Sequence, residues 1–337
     1  MKISVCYIAK NEEKNLPLSL ETVRGLGDEL IVVDTGSTDA TPKIAGDAGA
    51  RLFSFPWRDD FAAARNFALD RAAGDWIVFL DADEGFLYPE AVREAIQTID
   101  AVAPPVDAVM VTRVNMDFDA TDVQSTDRAA RLFRHLPEIR YHGRIHETIS
   151  HAGRALRLFQ DDGALSLYHT GYAGSAYRQK AERNLRLLLA DVGTRGEQPG
   201  CYMHLADCYM GLQDWQNALK YALLALDAPV QPTAGRVGLF HVAIESMRRL
   251  GWPLDDQLAL ADKALGEYPK QPEFYGERGM ILCALGRLDE ARASLETALA
   301  LHENHKTPPT ASTYFTDAVA AVVKTRLKEI AALLENR

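Results

Sequence analysis

The stretch Trp76-Ile77-Val78-Phe79-Leu80-Asp81-Ala82-Asp83-Glu84 decides the fold. An unbroken run of apolar, β-branched and aromatic residues predicts a strand buried on both faces, and the acids directly after it mark where that strand leaves the core. Outward from it the same grammar recurs. Ile3 to Ala9 reads as a buried strand, Leu30-Ile31-Val32-Val33 as a second ending on Asp34, and Arg51 to Phe55 as a third. Helical patterns lie between them. Leu16 to Val23 has apolar residues three and four apart, Thr41-Pro42 opens a helix running to Gly49, and the alanine-rich Phe61 to Ala73 stops at Gly74. Strands alternating with helices predict an α/β unit built on a mostly parallel sheet, whose ligands bind beyond the carboxyl ends of the strands. Past Pro104-Pro105, the segments Val106 to Val114, Ala129 to Phe133 and Ala164 to Tyr168 predict further strands of the same unit.

From about Ser175 the strand signals vanish. Tyr177 to Val192 predicts a helix with Leu185, Leu188 and Leu189 on one face. Tyr202, Leu205, Ala206, Tyr209, Asp214-Trp215, Ala218 and Ala225 then recur in register as Tyr275, Gly279, Leu282, Gly286, Ala291, Leu295 and Ala298. Small residues at helix crossings in such a pattern resemble the tetratricopeptide repeat, whose period is about 34 residues. The two copies stand about two periods apart, so a degenerate copy is expected between them, at Phe240 to Leu250 and Leu258 to Tyr268. Thr313 to Leu334 is expected to close the array. The expected division is 1–172 for the α/β unit and 173–337 for the helical one.

Composition narrows the class. The chain has 337 residues, 47% hydrophobic and 25% charged, which excludes a disordered, collagenous or membrane-embedded protein. Lys and Arg number 37 against 47 Asp and Glu, a net charge of −10, so a nucleic-acid partner is not expected. The four cysteines, Cys6, Cys201, Cys208 and Cys283, include no CxxC pair and sit among apolar neighbours as small core residues. No apolar run is long enough to span a bilayer, and Met1 to Ala9 reads as a first strand and not a secretion signal. The expected compartment is a reducing cytoplasm.

Four groups of residues bear chemistry. Asp81 and Asp83, one residue apart at a strand end, present oxygens to a hard cation such as Mg²⁺ or Mn²⁺, although a solvated acidic turn has the same sequence. Asp34, ahead of Thr35-Gly36-Ser37-Thr38-Asp39, is placed to accept hydrogen bonds from a nucleobase or ribose, with Thr38 or Asp39 capping the next helix and Asp34 left free. Arg65, in Phe61-Ala62-Ala63-Ala64-Arg65-Asn66, is expected to lean over the same rim toward a phosphate or a flat base, or else to form a surface salt bridge. Last, Arg131-Leu132-Phe133-Arg134 and Tyr141-His142-Gly143-Arg144-Ile145-His146-Glu147 concentrate polar function near one glycine.

Taken in order, these residues resemble a family 2 glycosyltransferase of GT-A fold from about Lys2 to Gly171. The opening strand is followed by Asn11-Glu12, then VVDTGSTD, an ARN helix and a strand ending in DADE. The block Arg131 to Glu147 resembles a bacterial subgroup with C-terminal tetratricopeptide repeats. The resemblance implies a nucleotide-sugar donor, a UDP-sugar first, and transfer of a hexosyl or N-acetylhexosaminyl group with inversion. It implies that Ile8 and Ala9 line the base and that Asp34 recognises uracil or ribose, with Thr35 where many members carry a second acid. It further implies that Arg65 contacts base or phosphate, that Asp83 ligates the metal, and that Asp81 holds ribose or a metal-bound water. Inversion needs one carboxylate near the acceptor to take its proton. Glu147 is the first candidate, Asp117 or Asp119 the alternative, and His146 is then placed to touch metal or phosphate.

The repeats are expected to engage a protein or peptide acceptor on a concave face, a saccharide acceptor staying open, or to form a homodimer. The competing reading is a non-catalytic tetratricopeptide adaptor with a degenerate nucleotide-binding domain. Asp34, Arg65, Asp81 and Asp83 speak against it. A nucleotidyltransferase or a dinucleotide-binding oxidoreductase is excluded by the stretch after the first strand, Ala9-Lys10-Asn11-Glu12-Glu13, which has no glycine.

Overall fold

A computed structural model describes residues 1–116, 123–161, 163–170, 175–196, 199–228, 234–304 and 314–335. The chain forms two compact units, one of Met1–Asp122 and Arg128–Ala173, the other of Val123–Asp127 and Gly174–Arg337.

The first unit runs β1 (Ile3–Ala9), α1 (Leu16–Thr22), β2 (Glu29–Asp34), α2 (Thr41–Asp47), β3 (Arg51–Ser54), α3 (Phe61–Leu69), β4 (Trp76–Asp81), β5 (Glu84–Phe86), α4 (Pro89–Asp100), β6 (Ala108–Met116), β7 (Val123–Arg134), β8 (Ile139–His142), β9 (Thr148–His151), β10 (Leu158–Gln160) and β11 (Leu167–His169). The main sheet has the order β3-β2-β1-β4-β7-β6-β11-β5, with β10 also on β6, and β8 and β9 form a separate hairpin. β3, β2, β1 and β4 are parallel neighbours, and β7 runs antiparallel to β4.

The pleat explains the position of the site. Val5, Tyr7, Val78 and Leu80 pack with Leu16, Leu20, Val92 and Ile96 on one face of the sheet. Cys6, Ile31, Val33, Ile77 and Phe79 pack with Ala64, Ala68, Tyr141 and Ile149 on the other. Successive side chains of a strand alternate faces, so Asp81 follows Phe79 toward α3 and the β8–β9 hairpin.

Several local expectations are revised. The helix from Phe61 ends at Leu69 and not at Ala73, with Asp70 as its C-cap. Gly74 is not its stop signal. A Cβ there would meet Ser4 Oγ at 2.6 Å, so this glycine lets the chain pass close beside β1. The N-cap of α2 is Ala40, with no side-chain cap, so neither Thr38 nor Asp39 fills that place. Thr38 N–H donates to Asn11 Oδ1 at 2.8 Å, and Asp39 accepts from Glu13 N–H at 3.1 Å. These residues tie the loop after β2 to the loop after β1. The strands expected past Pro105 exist as β6, β7 and β11, with β11 beginning only at Leu167. Cys6 and Cys208 are buried, whereas Cys201 and Cys283 are half-buried.

The second unit is helical: α5 (Ser175–Arg195), α6 (Pro199–Gly211), α7 (Trp215–Asp227), α8 (Ala234–Arg249), α9 (Leu254–Glu267), α10 (Pro272–Ala284), α11 (Leu288–Asn304) and α12 (Asp317–Glu335). α6–α7 and α10–α11 carry the two matching copies, and α8–α9 stand where the degenerate one was expected. A Cβ on Gly279 would lie 2.5 Å from Leu295 Cδ2, so a larger residue would force the buried Leu295 to move where α10 crosses α11. Asp214 caps α7 by accepting from Asn217 N–H at 3.2 Å. Among the described residues no helix is long and apolar enough to cross a membrane.

Candidate active site

Three strand ends meet on one rim. In register, Ile8 stands opposite Val33 of β2 and Asp81 of β4, and Ala9 stands opposite Asp34. Asp34 and Asp81 therefore lie two strands apart, roughly 10 Å at the usual strand spacing. The pleat sends Asp34 with Val32 to the α1 face and Asp81 with Phe79 to the α3 face, so a ligand touching both straddles the end of β1 over Ile8 and Ala9. The Asp34 carboxylate is not idle: it accepts from Gly36 N–H at 3.3 Å and Ser37 N–H at 3.1 Å. Thr35 turns inward, its hydroxyl donating to Ala9 O at 3.2 Å and its N–H to the same oxygen at 2.9 Å.

Around Asp81 the structure builds a chain of alternating charge. Arg65, only 3% exposed, donates from Nη2 to Asp81 Oδ1 at 2.6 Å and from Nε to Glu147 Oε1 at 2.5 Å. Its guanidinium lies over the rings of Phe79 at 4.7 Å and Tyr141 at 5.2 Å. Arg131 of β7 donates from Nη2 to Asp81 Oδ2 at 2.5 Å and to Glu84 Oε1 at 2.7 Å. Glu84 is fully buried, and its Oε2 accepts the Asp81 N–H at 3.1 Å. Burial alone would push the Asp81 carboxyl up, but the charges of Arg131 and Arg65 outweigh it and hold the group well below the usual carboxylate range. Among the described residues, Arg65 Nη1, Arg131 Nε and Tyr141 Oη are buried and meet no hydrogen-bond partner. Orphaned buried donors are rare and mark a place where a water or a ligand oxygen belongs.

Asp83 sits two residues beyond, buried to 9% exposure. His169 at the end of β11 brings Nε2 to 3.5 Å from Asp83 Oδ2, while its Nδ1 is 2.8 Å from Asn115 Oδ1. With Nδ1 beside Asn115 Oδ1, Nε2 faces the Asp83 carboxylate, and a cation seated between the two would take both as ligands. Carboxylate oxygens with one imidazole fit Mg²⁺ or Mn²⁺. Among the described residues no three His, Cys, Asp or Glu side chains form a cage by themselves, so such an ion would take further ligands from its substrate. His146 is exposed, in a left-handed backbone with φ 52°.

The Arg131–Glu147 segment divides. Arg131, Tyr141 and Glu147 join the network. Arg134 lies at the far end of β4, over the Trp76 ring and bound to Asp100 at 2.8 Å, and serves the fold. His142 and Arg144 are exposed. Asp117 and Asp119, the alternative bases, lie outside the described residues. Sequence reasoning passed over Glu84, Asn115 and His169. Glu84 was signalled only as the third acid of the run Asp81 to Glu84, and His169 by a histidine closing a short strand.

An α/β unit with acids and arginines gathered on the carboxyl rim of its parallel strands, followed by a helical repeat unit, is the class that fold and site define: a glycosyltransferase. Residues 4–173 match the family Glycosyl transferase family 2, and residues 272–305 match the tetratricopeptide repeat. The chain belongs to glycosyl transferase family 2. It is 37% identical over 326 residues to a TPR repeat-containing protein of Synechococcus elongatus, covering 88% of this chain and 76% of that one. It is 29% identical over 215 residues to the SPβ prophage-derived glycosyltransferase SunS of Bacillus subtilis, covering 61% of this chain and 50% of that one. Among solved structures, glucosyl-3-phosphoglycerate synthase from Mycobacterium tuberculosis is 30% identical over 34% of this chain and 43% of its own, with a TM-score of 0.30. The chain thus spans half of SunS and less than half of the synthase.

Proposed function

We propose that this glycosyltransferase moves a hexosyl or N-acetylhexosaminyl group from a UDP-sugar to a protein or peptide acceptor, with inversion and with the help of Mn²⁺ or Mg²⁺. The observation that carries the reading is the shared rim: Asp34, the pair Asp81 and Asp83, and Glu147 come from three separate segments and gather about the end of β1. Uracil or ribose would lie over Ile8 and Ala9, within reach of Asp34. Asp83 and His169 would hold the divalent ion, because Nε2 of His169 stands 3.5 Å from Asp83 Oδ2, whereas His146 is exposed. Bound there, the ion would neutralise charge on the departing diphosphate. Glu147 would take the proton from the acceptor as the sugar carbon, oxocarbenium-like in the transition state, is attacked from the opposite side.

The repeats support a polypeptide acceptor, because stacked helix pairs offer an extended surface. A thermal-shift screen of nucleotide sugars with and without Mn²⁺ tests the donor. UDP-sugars should raise the melting temperature by mass action, and Asp83→Ala should abolish the metal-dependent part. If no UDP-sugar shifts the wild type and no nucleoside diphosphate is released from any donor, the adaptor reading replaces this one.

A further inference from the structure

Two arginines meet on Asp81, and their other contacts differ. Arg65 spends one fork on two carboxylates from distant parts of the chain, Asp81 and Glu147. Sandwiched against Phe79 and Tyr141 and almost fully buried, it commits Nε and Nη2 to these two carboxylates and keeps only Nη1 for a further oxygen. Arg131 instead closes a ring within the DADE turn: its Nη2 binds Asp81 and Glu84, and Glu84 in turn binds the Asp81 N–H. Arg113 touches the same Glu84 oxygen at 3.3 Å.

Resting on the donor and base assignments above, we propose that Arg65 and Arg131 are positioning residues with separate duties. Arg131 fixes the turn that carries Asp81 and Asp83, and so prepares the donor side. Arg65 ties Glu147 to that turn, and so sets the proton-accepting side against the donor. The division follows from what survives each loss. Without Arg65, Asp81 is still held by Arg131, and Glu147 loses its ion-pair partner. Without Arg131, Glu147 is still held by Arg65, and the turn loses its anchor on β7. A lysine at 65 cannot span Asp81 and Glu147, which take separate nitrogens of the planar fork, and a lysine at 131 ends one bond short of the Nη2 that bridges Asp81 and Glu84.

The experiment compares wild type, Arg65→Lys and Arg131→Lys as full chains, by calorimetric binding of UDP with Mn²⁺ and by steady-state turnover of a UDP-sugar the wild type uses. Arg65→Lys should keep UDP affinity within about threefold and lose about 10²-fold in kcat, the scale of a misplaced reacting group. Arg131→Lys should weaken UDP binding with Mn²⁺ by about tenfold or more, as loss of a ligand-orienting partner does. Equal losses of binding and turnover in both variants, or wild-type turnover in Arg65→Lys, overturn the proposal. So does a loss of UDP affinity in Arg65→Lys, which would mean direct donor contact. If a lysine variant melts below the assay temperature, Phe79→Leu beneath Arg65 and Glu84→Gln beside Arg131 must show the same split between kcat and binding. Absence of UDP binding by the wild type overturns the donor reading and this proposal with it, whereas binding without the split overturns this proposal alone.

Discussion

Nε2 of His169 lies 3.5 Å from Oδ2 of Asp83, while Nδ1 of the same ring is 2.8 Å from Asn115 Oδ1. The three residues come from β11, the DADE turn and β6, and β11 and β6 are parallel neighbours with His169 directly opposite Asn115. Backbone pairing therefore fixes the imidazole against its amide partner. Outer partners that orient a metal-binding histidine typically contribute 10- to 100-fold in affinity. Asn115→Leu is expected to weaken the Mn²⁺ dependence of UDP binding by about that factor, and His169→Ala by at least as much, while UDP binding without metal stays unchanged. Titration of Mn²⁺ by calorimetry at fixed UDP checks this. An Asn115→Leu protein with wild-type Mn²⁺ affinity would show that the amide does not orient the ring.

Glu273, in the first turn of α10, is 5% exposed, and among the described residues neither carboxylate oxygen meets a hydrogen-bond partner. Burial pushes its carboxyl up to about 7 from an ordinary 4.5, and the nearby amides of Glu273 and Tyr314 offset only part of that. The folded state therefore keeps a proton that the unfolded state has released. Between about pH 4.5 and 7 the folded state binds more protons, so the stability of this helical unit falls as pH rises, then levels off above 7. Glu273→Gln removes the effect. Its melting temperature relative to wild type should climb from pH 5 to pH 8, by the equivalent of up to about 3 kcal/mol for a shift of this size. A difference that stays flat with pH would mean the carboxylate is hydrated in the folded protein.

Much of this was legible in the sequence, for reasons that differ by scale. The continuous apolar runs of β1 and β4 announced strands covered on both faces, because nothing else buries five adjacent side chains so fully. The acids at 34, 81 and 83 were visible because each ends such a run. What stayed hidden was tertiary. Arg65 reads as leaning over the rim toward a phosphate or base; that it is buried between Asp81 and Glu147, contributed by β4 and by the segment after β8, is set only by the fold. The role of His169 depends on the pairing of β11 with β6, which no local pattern encodes. Gly74 looked like a helix stop and is instead a point of contact with β1. The helix Pro89–Asp100, whose apolar spacing Val92, Ile96 and Ile99 is plain, lies outside the segments read as helices from the sequence.

Gln213 and Gly286 hold the same place in two helix pairs, and both have left-handed backbones, φ 61° and 73°. Their hydrogen bonds match as well. Gln213 N–H reaches Met210 O at 2.9 Å and Asp214 N–H reaches Tyr209 O at 2.9 Å; Gly286 N–H reaches Cys283 O and Arg287 N–H reaches Leu282 O, both at 3.0 Å. Each is a helix end closed by a residue that turns the chain back on itself. Glycine adopts this conformation without strain, whereas a side chain there costs about 1–2 kcal/mol, partly offset because glycine loses more freedom on folding. Gln213 is exposed, so replacing it removes no packing. Gln213→Gly should therefore stabilise the helical unit by about 0.5–1 kcal/mol, and Gly286→Gln should destabilise it by at least that much. Chemical denaturation followed by circular dichroism reads both. If Gln213→Gly melts earlier than wild type, the glutamine side chain supplies a contact in this turn that outweighs its backbone strain.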